Sequence, residues 1–260
     1  MKNAVVIFIV LVIIGIGVYF LLQSPGDKAG LTPEPGATDT GGTTQPQNGE
    51  PQDAEQGKEG VSVIGTSVQG RDINAYHYPL ARQAGDAVDT EILFVGGIHG
   101  GYSWNTALVA YETMDYLEAN PDVIPDNVEV TVVPVLNPDG LNKVVGTAGR
   151  FDKADVPESQ ELRVSGRFNA NNVDLNRNFD CDWQSSGVWQ NRTVSGGKEV
   201  FSEPESQAIK DYIETRNPAA VVVFYSAAGG VFASSCHNGV LPETRELTNI
   251  YARASGYPAY

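Results

Sequence analysis

"EILFVGGIHGGYSWNTALVAYETMDYLEA" (residues 91–119) contains the strand, turn and helix on which the fold prediction rests. Residues 91–98 form an almost uninterrupted apolar run, which is typical of a strand buried on both faces of a sheet. A glycine-rich turn follows and carries one histidine, His99. Residues 103–119 show partial helical periodicity over a length that suits a helix. The stretch therefore predicts a buried strand, followed by a turn that places the His99 imidazole at the carboxyl end of the strand.

Further predicted strands and helices alternate from residue 61 onward. The strands are two short runs in residues 61–79 joined at Gln69-Gly70, and residues 128–136 and 219–226. The helices are residues 202–214, opened by a capping box of Ser202 with Glu205, and residues 241–256, ended by Gly256. This alternation predicts an α/β fold with a mixed, largely parallel central sheet and helices on both faces. The crevice beyond the carboxyl ends of the strands is the expected ligand site, and the long irregular stretch at residues 141–200 is expected to contribute to it.

The first 60 residues differ from the rest in composition. Residues 4–22 contain no charge and are long enough to cross a bilayer as a helix. We interpret residues 1–23 as a signal anchor or transmembrane helix, with a cleaved signal peptide as the alternative. Residues 24–60 are rich in Pro, Gly, Thr and acidic residues, which predicts a flexible linker. The expected location is the cell membrane, single-pass, with residues 61–260 forming an extracytoplasmic domain.

Charge and cysteine content limit the function further. The formal net charge of -15 argues against nucleic acid as a partner. The two cysteines, Cys181 and Cys236, lie in loop-like sequence beyond the predicted anchor. A disulfide between them is expected in an oxidising compartment, and two buried free thiols are the alternative.

Four segments, taken in order, resemble the zinc carboxypeptidase family, the M14 or carboxypeptidase A-like metallopeptidases. They are "GGIHGG" (residues 96–101), "LNPDG" (136–140), "RFNANNVDLNRNF" (167–179) and "VVFYSAAGG" (222–230). The combination of "NNVDLNRNF" with "NPDG" is highly specific, and the likeness extends from about residue 61 to the end of the sequence. The resemblance implies a zinc carboxypeptidase-like fold and recognition of peptide or cell-wall peptide C-termini.

The resemblance assigns substrate contacts to three residues. Asn176 and Arg177 match the pair that binds the terminal carboxylate in the family, and Arg167 is the best candidate for the arginine that polarises the scissile carbonyl. A planar guanidinium binds a carboxylate through two hydrogen bonds, which a lysine does not do. The alternative is a solvated loop held together by Asn and Arg hydrogen bonds.

The zinc ligands that the resemblance implies are only partly present. His99 is the one matching ligand. The family's H-x-x-E spacing reaches Tyr102, the next residue is Ser103, and Tyr225 stands where a second histidine is expected. A phenol and an alcohol are poor zinc ligands at neutral pH, so zinc binding is doubtful here. Spacing disfavours two replacement ligands, namely Glu112 on the helix and the pair Cys236 with His237.

The general base of the family comes from a late strand, and none is found before Tyr260. The domain at residues 61–260 is therefore expected to be C-terminally incomplete or naturally short. Three functions follow as hypotheses. The first is a carboxylate-recognising domain that is impaired or inactive in hydrolysis. The second is an active metallocarboxypeptidase with non-standard ligands or ligands from a missing segment, and the third is an inert structural domain on a stalk.

Overall fold

The computed structural model of the protein describes residues 60–79, 90–237 and 239–260. Its strands are β1 (Val61–Thr66), β2 (Asp72–Tyr78), β3 (Thr90–Val95), β4 (Val128–Val133), β5 (Ser186–Trp189), β6 (Arg192–Ser195) and β7 (Ala220–Val223). Its α-helices are α1 (Trp104–Ala119), α2 (Pro138–Val145), α3 (Gln160–Ser165), α4 (Pro204–Arg216) and α5 (Pro242–Ser255). Short 3-10 turns include Leu175–Arg177.

Five strands form one sheet in the order β1-β2-β4-β3-β7. Strand β3 is parallel to both β4 and β7, whereas β2 is antiparallel to β1 and to β4. The predicted mixed sheet is confirmed, but it is not largely parallel, because two of the four strand pairings within it are antiparallel. Strands β5 and β6 form a separate antiparallel hairpin within residues 141–200, for which the sequence pattern predicted only irregular structure.

Apolar residues explain why the sheet has helices on both faces. Every residue of β4 is buried, as are five of the six residues of β3. On one face, Phe94 packs in a cluster with Ala110 and Met114 of α1. On the other face, Leu93 packs in a second cluster with Ile209 of α4. Strands that are apolar on both faces must be packed against helices on both faces. The sequence pattern therefore predicts this layered arrangement.

The strands end earlier than the sequence predicted. β3 stops at Val95 rather than at residue 98, because the two glycines that follow leave the sheet in a tight turn. A Cβ atom on Gly96 would lie 2.7 Å from the carbonyl oxygen of Pro134, and Gly97 has a φ of +61°. Only glycine fits this close approach of two chains. The turn that carries His99 is thereby packed against the turn after β4.

The capping box at Ser202 and Glu205 is wrong. Helix α4 begins at Pro204, and its N-cap is Glu203. The Glu205 side chain is fully buried and accepts hydrogen bonds from the Val68 backbone and from Asn169. Because these partners come from the β1–β2 turn and the 167–179 segment, the carboxylate joins three parts of the fold instead of capping its own helix.

The predicted transmembrane helix and linker, residues 1–23 and 24–60, lie outside the described residues except for Gly60. Among the helices that the structure does describe, none has the length and apolar character needed to cross a membrane.

Candidate functional site

The turns after β3 and β7 bring two aromatic rings together. The ring centroids of His99 and Tyr225 are 6.0 Å apart, with the rings in an edge-on arrangement. The turn after β4 is joined to the turn that carries His99, because Asn137 N donates a hydrogen bond to the Gly97 carbonyl oxygen, and the Asn137 side chain donates another to the Arg167 carbonyl oxygen. The carboxyl ends of these parallel strands therefore meet, as the sequence predicted.

His99 is buried, with 5% of its surface exposed. Its Nε2 atom lies 3.3 Å from Asp174 Oδ1, but the approach is not aligned for a hydrogen bond, and Nε2 has no other hydrogen-bond partner in the described residues. Burial lowers the pKa of His99, the positive charge of Arg167 acts in the same direction, and Asp174 opposes them. Burial therefore favours the neutral imidazole at pH 7, and its Nε2 atom has no hydrogen-bond partner among the described residues.

Asp174 is the central charged residue of the site. Its Oδ2 atom accepts hydrogen bonds from Arg167 Nε (3.1 Å) and Nη2 (2.8 Å), and its Oδ1 accepts one from the backbone N–H of Asn176 (3.3 Å). Burial would raise the pKa of Asp174, but contact with His99 and the Arg167 guanidinium outweighs burial and lowers it. Asp174 and Arg167 thus form a fully buried ion pair.

Arg167 is enclosed by aromatic rings as well. Its guanidinium carbon lies 4.4 Å from the centroid of the Trp189 ring and 5.5 Å from that of Tyr102. Trp189 comes from the end of β5, and the next residue, Gln190, donates a hydrogen bond to the Tyr102 hydroxyl. The β5–β6 hairpin therefore covers Arg167. Tyr102, the residue that the family's H-x-x-E spacing reaches, is part of this cover.

Asn176 and Arg177 have exposed side chains on the 3-10 turn after Asp174. Arg177 Nη2 donates a hydrogen bond to the Val188 carbonyl oxygen at 2.9 Å. Asn176 Oδ1 accepts a hydrogen bond of 2.6 Å from the Tyr225 hydroxyl. The structure thus brings Asn176, one member of the predicted carboxylate-binding pair, into contact with the aromatic residue after β7.

The family model described as zinc carboxypeptidase matches residues 58–255 of the chain. The chain belongs to the zinc carboxypeptidase family. Gamma-D-glutamyl-L-diamino acid endopeptidase 1 of Lysinibacillus sphaericus is 29% identical over 137 residues, which are 49% of this chain and 34% of that protein. Carboxypeptidase Z of Rattus norvegicus is 28% identical over 167 residues, 58% of this chain and 24% of that protein. The chain spans about a third or less of the length of these curated relatives.

Solved structures show the same fold. The murein-tripeptide amidase of Escherichia coli O157 has a TM-score of 0.51 and 25% identity, with coverage of 81% of this chain and 76% of the amidase. The carboxypeptidase A of Helicoverpa armigera has a TM-score of 0.54 and 24% identity, with coverage of 74% and 47% of the two chains. The predicted carboxypeptidase-like fold is confirmed.

The residues at the zinc-ligand positions do not fit the metal that is typical of the family. The unpaired Nε2 of His99 would suit a metal ion, but catalytic zinc requires three protein ligands. The nearest carboxylate, Asp174, is already paired with Arg167. Tyr225 and Ser103 offer a phenol and an alcohol, and no group of three potential His, Cys, Asp or Glu ligands occurs within residues 60–79, 90–237 and 239–260.

Other candidate ligands lie elsewhere. Glu112 is exposed on α1, and His237 is exposed beside Asp180. Cys236 forms a disulfide with Cys181, which confirms the predicted bond and rules out Cys236 as a thiolate ligand for a Cys236–His237 metal pair. His77 lies on β2, an interior strand between β1 and β4, where its Nδ1 atom is 3.3 Å from Glu129 Oε1.

Sequence reasoning missed two contributors to the site. Asp174 lies inside the motif "NNVDLNRNF", so its position carried a signal, but its pairing with Arg167 did not follow from spacing. Trp189 carried no signal, since it comes from a hairpin that the sequence pattern did not predict.

Proposed function

We propose that the domain recognises peptides by their C-terminal carboxylate, through Arg177 and Asn176, and that it is impaired or inactive in hydrolysis. The observation that carries the proposal is the state of Arg177. Its guanidinium is exposed beside the crevice, donates one hydrogen bond to Val188 O, and has no carboxylate partner among the described residues. An exposed, uncompensated guanidinium next to a side-chain amide is suited to an anionic ligand group.

Arg167, unlike Arg177, is paired with a carboxylate and buried. Two of its donors are taken by Asp174, and its guanidinium is buried under Trp189 and Tyr102. In this arrangement Arg167 stabilises the site and keeps Asp174 ionised. Polarisation of a scissile carbonyl by Arg167 would require its remaining donors to reach the ligand, so we infer that recognition depends on Arg177.

The ligand class follows from the chemistry and from two relatives. A carboxylate is the group that Arg177 and Asn176 would bind. Two similar proteins are named for peptide substrates, a gamma-D-glutamyl-L-diamino acid endopeptidase and a murein-tripeptide amidase, and the second name refers to a cell-wall peptide. These points support C-termini of peptides, including cell-wall peptides, as ligands.

A second function, active zinc-dependent hydrolysis, is favoured by one observation only, the unpaired Nε2 of buried His99. It would need further ligands beyond those that the described residues supply. Measurement of bound zinc separates this function from the first.

Replacing Arg177 by alanine is expected to weaken binding of a free-acid peptide by about 10- to 100-fold, since hydrogen bonds to charged groups contribute about 1.5–3 kcal/mol. Arg177→Lys is expected to retain only part of the affinity, because an ammonium group is a point charge without the planar fork. The measurement is calorimetric titration of the full chain with N-acetyl-trialanine and with its C-terminal amide.

Arg253→Ala, which removes an exposed arginine on α5, serves as the matched control and is expected to bind like the wild type. If the wild type binds the acid and the amide equally, or if Arg177→Ala binds the acid as tightly as the wild type, the proposed function is wrong. A complete lack of binding to the wild type would favour the inert structural domain.

We further propose an extracytoplasmic, membrane-anchored location. The uncharged run at residues 4–22 and the Cys181–Cys236 disulfide support it, because disulfides persist mainly in oxidising compartments. Protease added to intact cells is expected to digest the domain, whereas protection until lysis would contradict this location.

A further inference from the structure

We propose that Tyr225 is a positioning residue that fixes the side-chain amide of Asn176 in the orientation needed for a carboxylate. This inference rests on the proposed function and adds to it a specific basis for preferring an acid over an amide. It assigns a role to a residue that stands where the family resemblance leads one to expect a metal-binding histidine.

The hydrogen bond between the two side chains determines the orientation. The Tyr225 hydroxyl donates to Asn176 Oδ1 over 2.6 Å, a length that is normal for an O–H···O bond and short for N–H···O. With Oδ1 occupied, both N–H donors of Nδ2 remain, and no hydrogen bond to Nδ2 is found in the described part of the chain. A carboxylate only accepts hydrogen bonds, so it can pair with this orientation of the amide.

The opposite orientation would have the reverse effect. Rotating the amide by half a turn would direct Nδ2 at the Tyr225 hydroxyl and leave Oδ1 free. That oxygen would repel a carboxylate, although it could still accept a hydrogen bond from a peptide amide. A phenol hydroxyl can also accept a hydrogen bond, but it is a stronger donor than acceptor because its oxygen lone pair is delocalised into the ring. Together with the 2.6 Å separation, this favours the orientation with Oδ1 towards Tyr225, which is the one that discriminates in favour of the acid.

Tyr225 is suited to act as a permanent donor. An ordinary tyrosine hydroxyl has a pKa of about 10, so it keeps its proton throughout the neutral range. The backbone before it is held to the sheet by a hydrogen bond from Phe224 N to Val95 O, and its ring lies edge-on to His99.

Arg177 lies next to Asn176 and supplies the positive charge. Arg177 and Asn176 contribute differently to binding of the carboxylate. The guanidinium provides most of the affinity for the anion, and the oriented amide adds selectivity. Loss of the Tyr225 hydroxyl should therefore reduce the ratio of acid to amide affinity without removing binding.

The test is Tyr225→Phe, which keeps the ring and removes only the hydroxyl. We expect the ratio of affinities for N-acetyl-trialanine and its C-terminal amide to fall by about 5- to 10-fold, as for the loss of one hydrogen bond. The affinity for the amidated peptide should stay the same or rise slightly. If Tyr225 had a purely structural role, its replacement would instead lower the affinity for both peptides equally.

A double-mutant cycle with Asn176→Ala tests whether the effect passes through Asn176. In that background, Tyr225→Phe should no longer change the ratio. The inference would be overturned if Tyr225→Phe changed the ratio of acid to amide affinity equally in the wild type and in Asn176→Ala. It would also be overturned if Tyr225→Phe alone kept the wild-type ratio.

The failure of the two proposals can be told apart. If the wild type discriminates between acid and amide, and Arg177→Ala abolishes this while Tyr225→Phe does not, only the role of Tyr225 is refuted. If the wild type shows no discrimination, the proposed function fails and the role of Tyr225 with it.

Discussion

Asp174→Asn is expected to lower the free energy of unfolding by about 3–5 kcal/mol, as is found when one partner of a buried ion pair is removed. Asp174 is fully buried and accepts two hydrogen bonds from the guanidinium of Arg167, which is itself 5% exposed. The neutral amide would leave that guanidinium buried without a counter-charge. Urea unfolding of the full chain at pH 7, followed by circular dichroism, measures the change.

Asp115→Asn is the matched control for this prediction. Asp115 also pairs with an arginine, Arg150 at 2.7 Å, but both side chains are about half exposed. Solvent screens such a pair, so its loss should cost less than about 1 kcal/mol. Equal, small losses in the two variants would show that Asp174 and Arg167 are not the buried pair described above.

Replacing both Cys181 and Cys236 by serine is expected to lower the free energy of unfolding by about 4 kcal/mol. The two cysteines are 55 positions apart, and their disulfide closes a loop whose ends would otherwise move independently in the unfolded chain. The bond also joins the segment after Arg177 to the loop after Tyr225, the two sides of the candidate site. Urea unfolding of both proteins under non-reducing conditions measures the difference.

Dithiothreitol provides the control for the disulfide. It should bring the wild type to the stability of the double serine variant and leave that variant unchanged. If the wild type and the variant unfold at the same urea concentration before reduction, the disulfide does not stabilise the domain as proposed.

The central part of the fold could be predicted because it depends on local sequence patterns. The buried strand β3, the glycine turn and α1 follow from the identities of consecutive residues. The strand ends were less predictable, since the packing of Gly96 against Pro134 depends on two segments almost 40 residues apart. The α4 N-terminus was misassigned for a similar reason, because distant partners bind Glu205.

The candidate site also combines features that local sequence predicts with features that depend on distant contacts. His99 was expected at the mouth of the sheet and lies there, and the resemblance identified Asn176 and Arg177 as a pair whose role remains a prediction. The contacts that give these residues their surroundings come from far along the chain. Tyr225 meets Asn176 across 49 residues, and Trp189 reaches Arg167 from the β5–β6 hairpin. No spacing rule for single motifs reveals such contacts.

The number of zinc ions bound per chain tests the central claim most directly. The full chain, the His99→Ala variant and the Ser103→Glu, Tyr225→His double variant would be dialysed to equilibrium against micromolar free zinc and analysed by mass spectrometry of the metal. Because one imidazole flanked by a phenol and an alcohol is too few ligands for zinc, the wild type should hold no more zinc than His99→Ala, well below one ion per chain. One zinc per wild-type chain, lost in His99→Ala, would contradict the account.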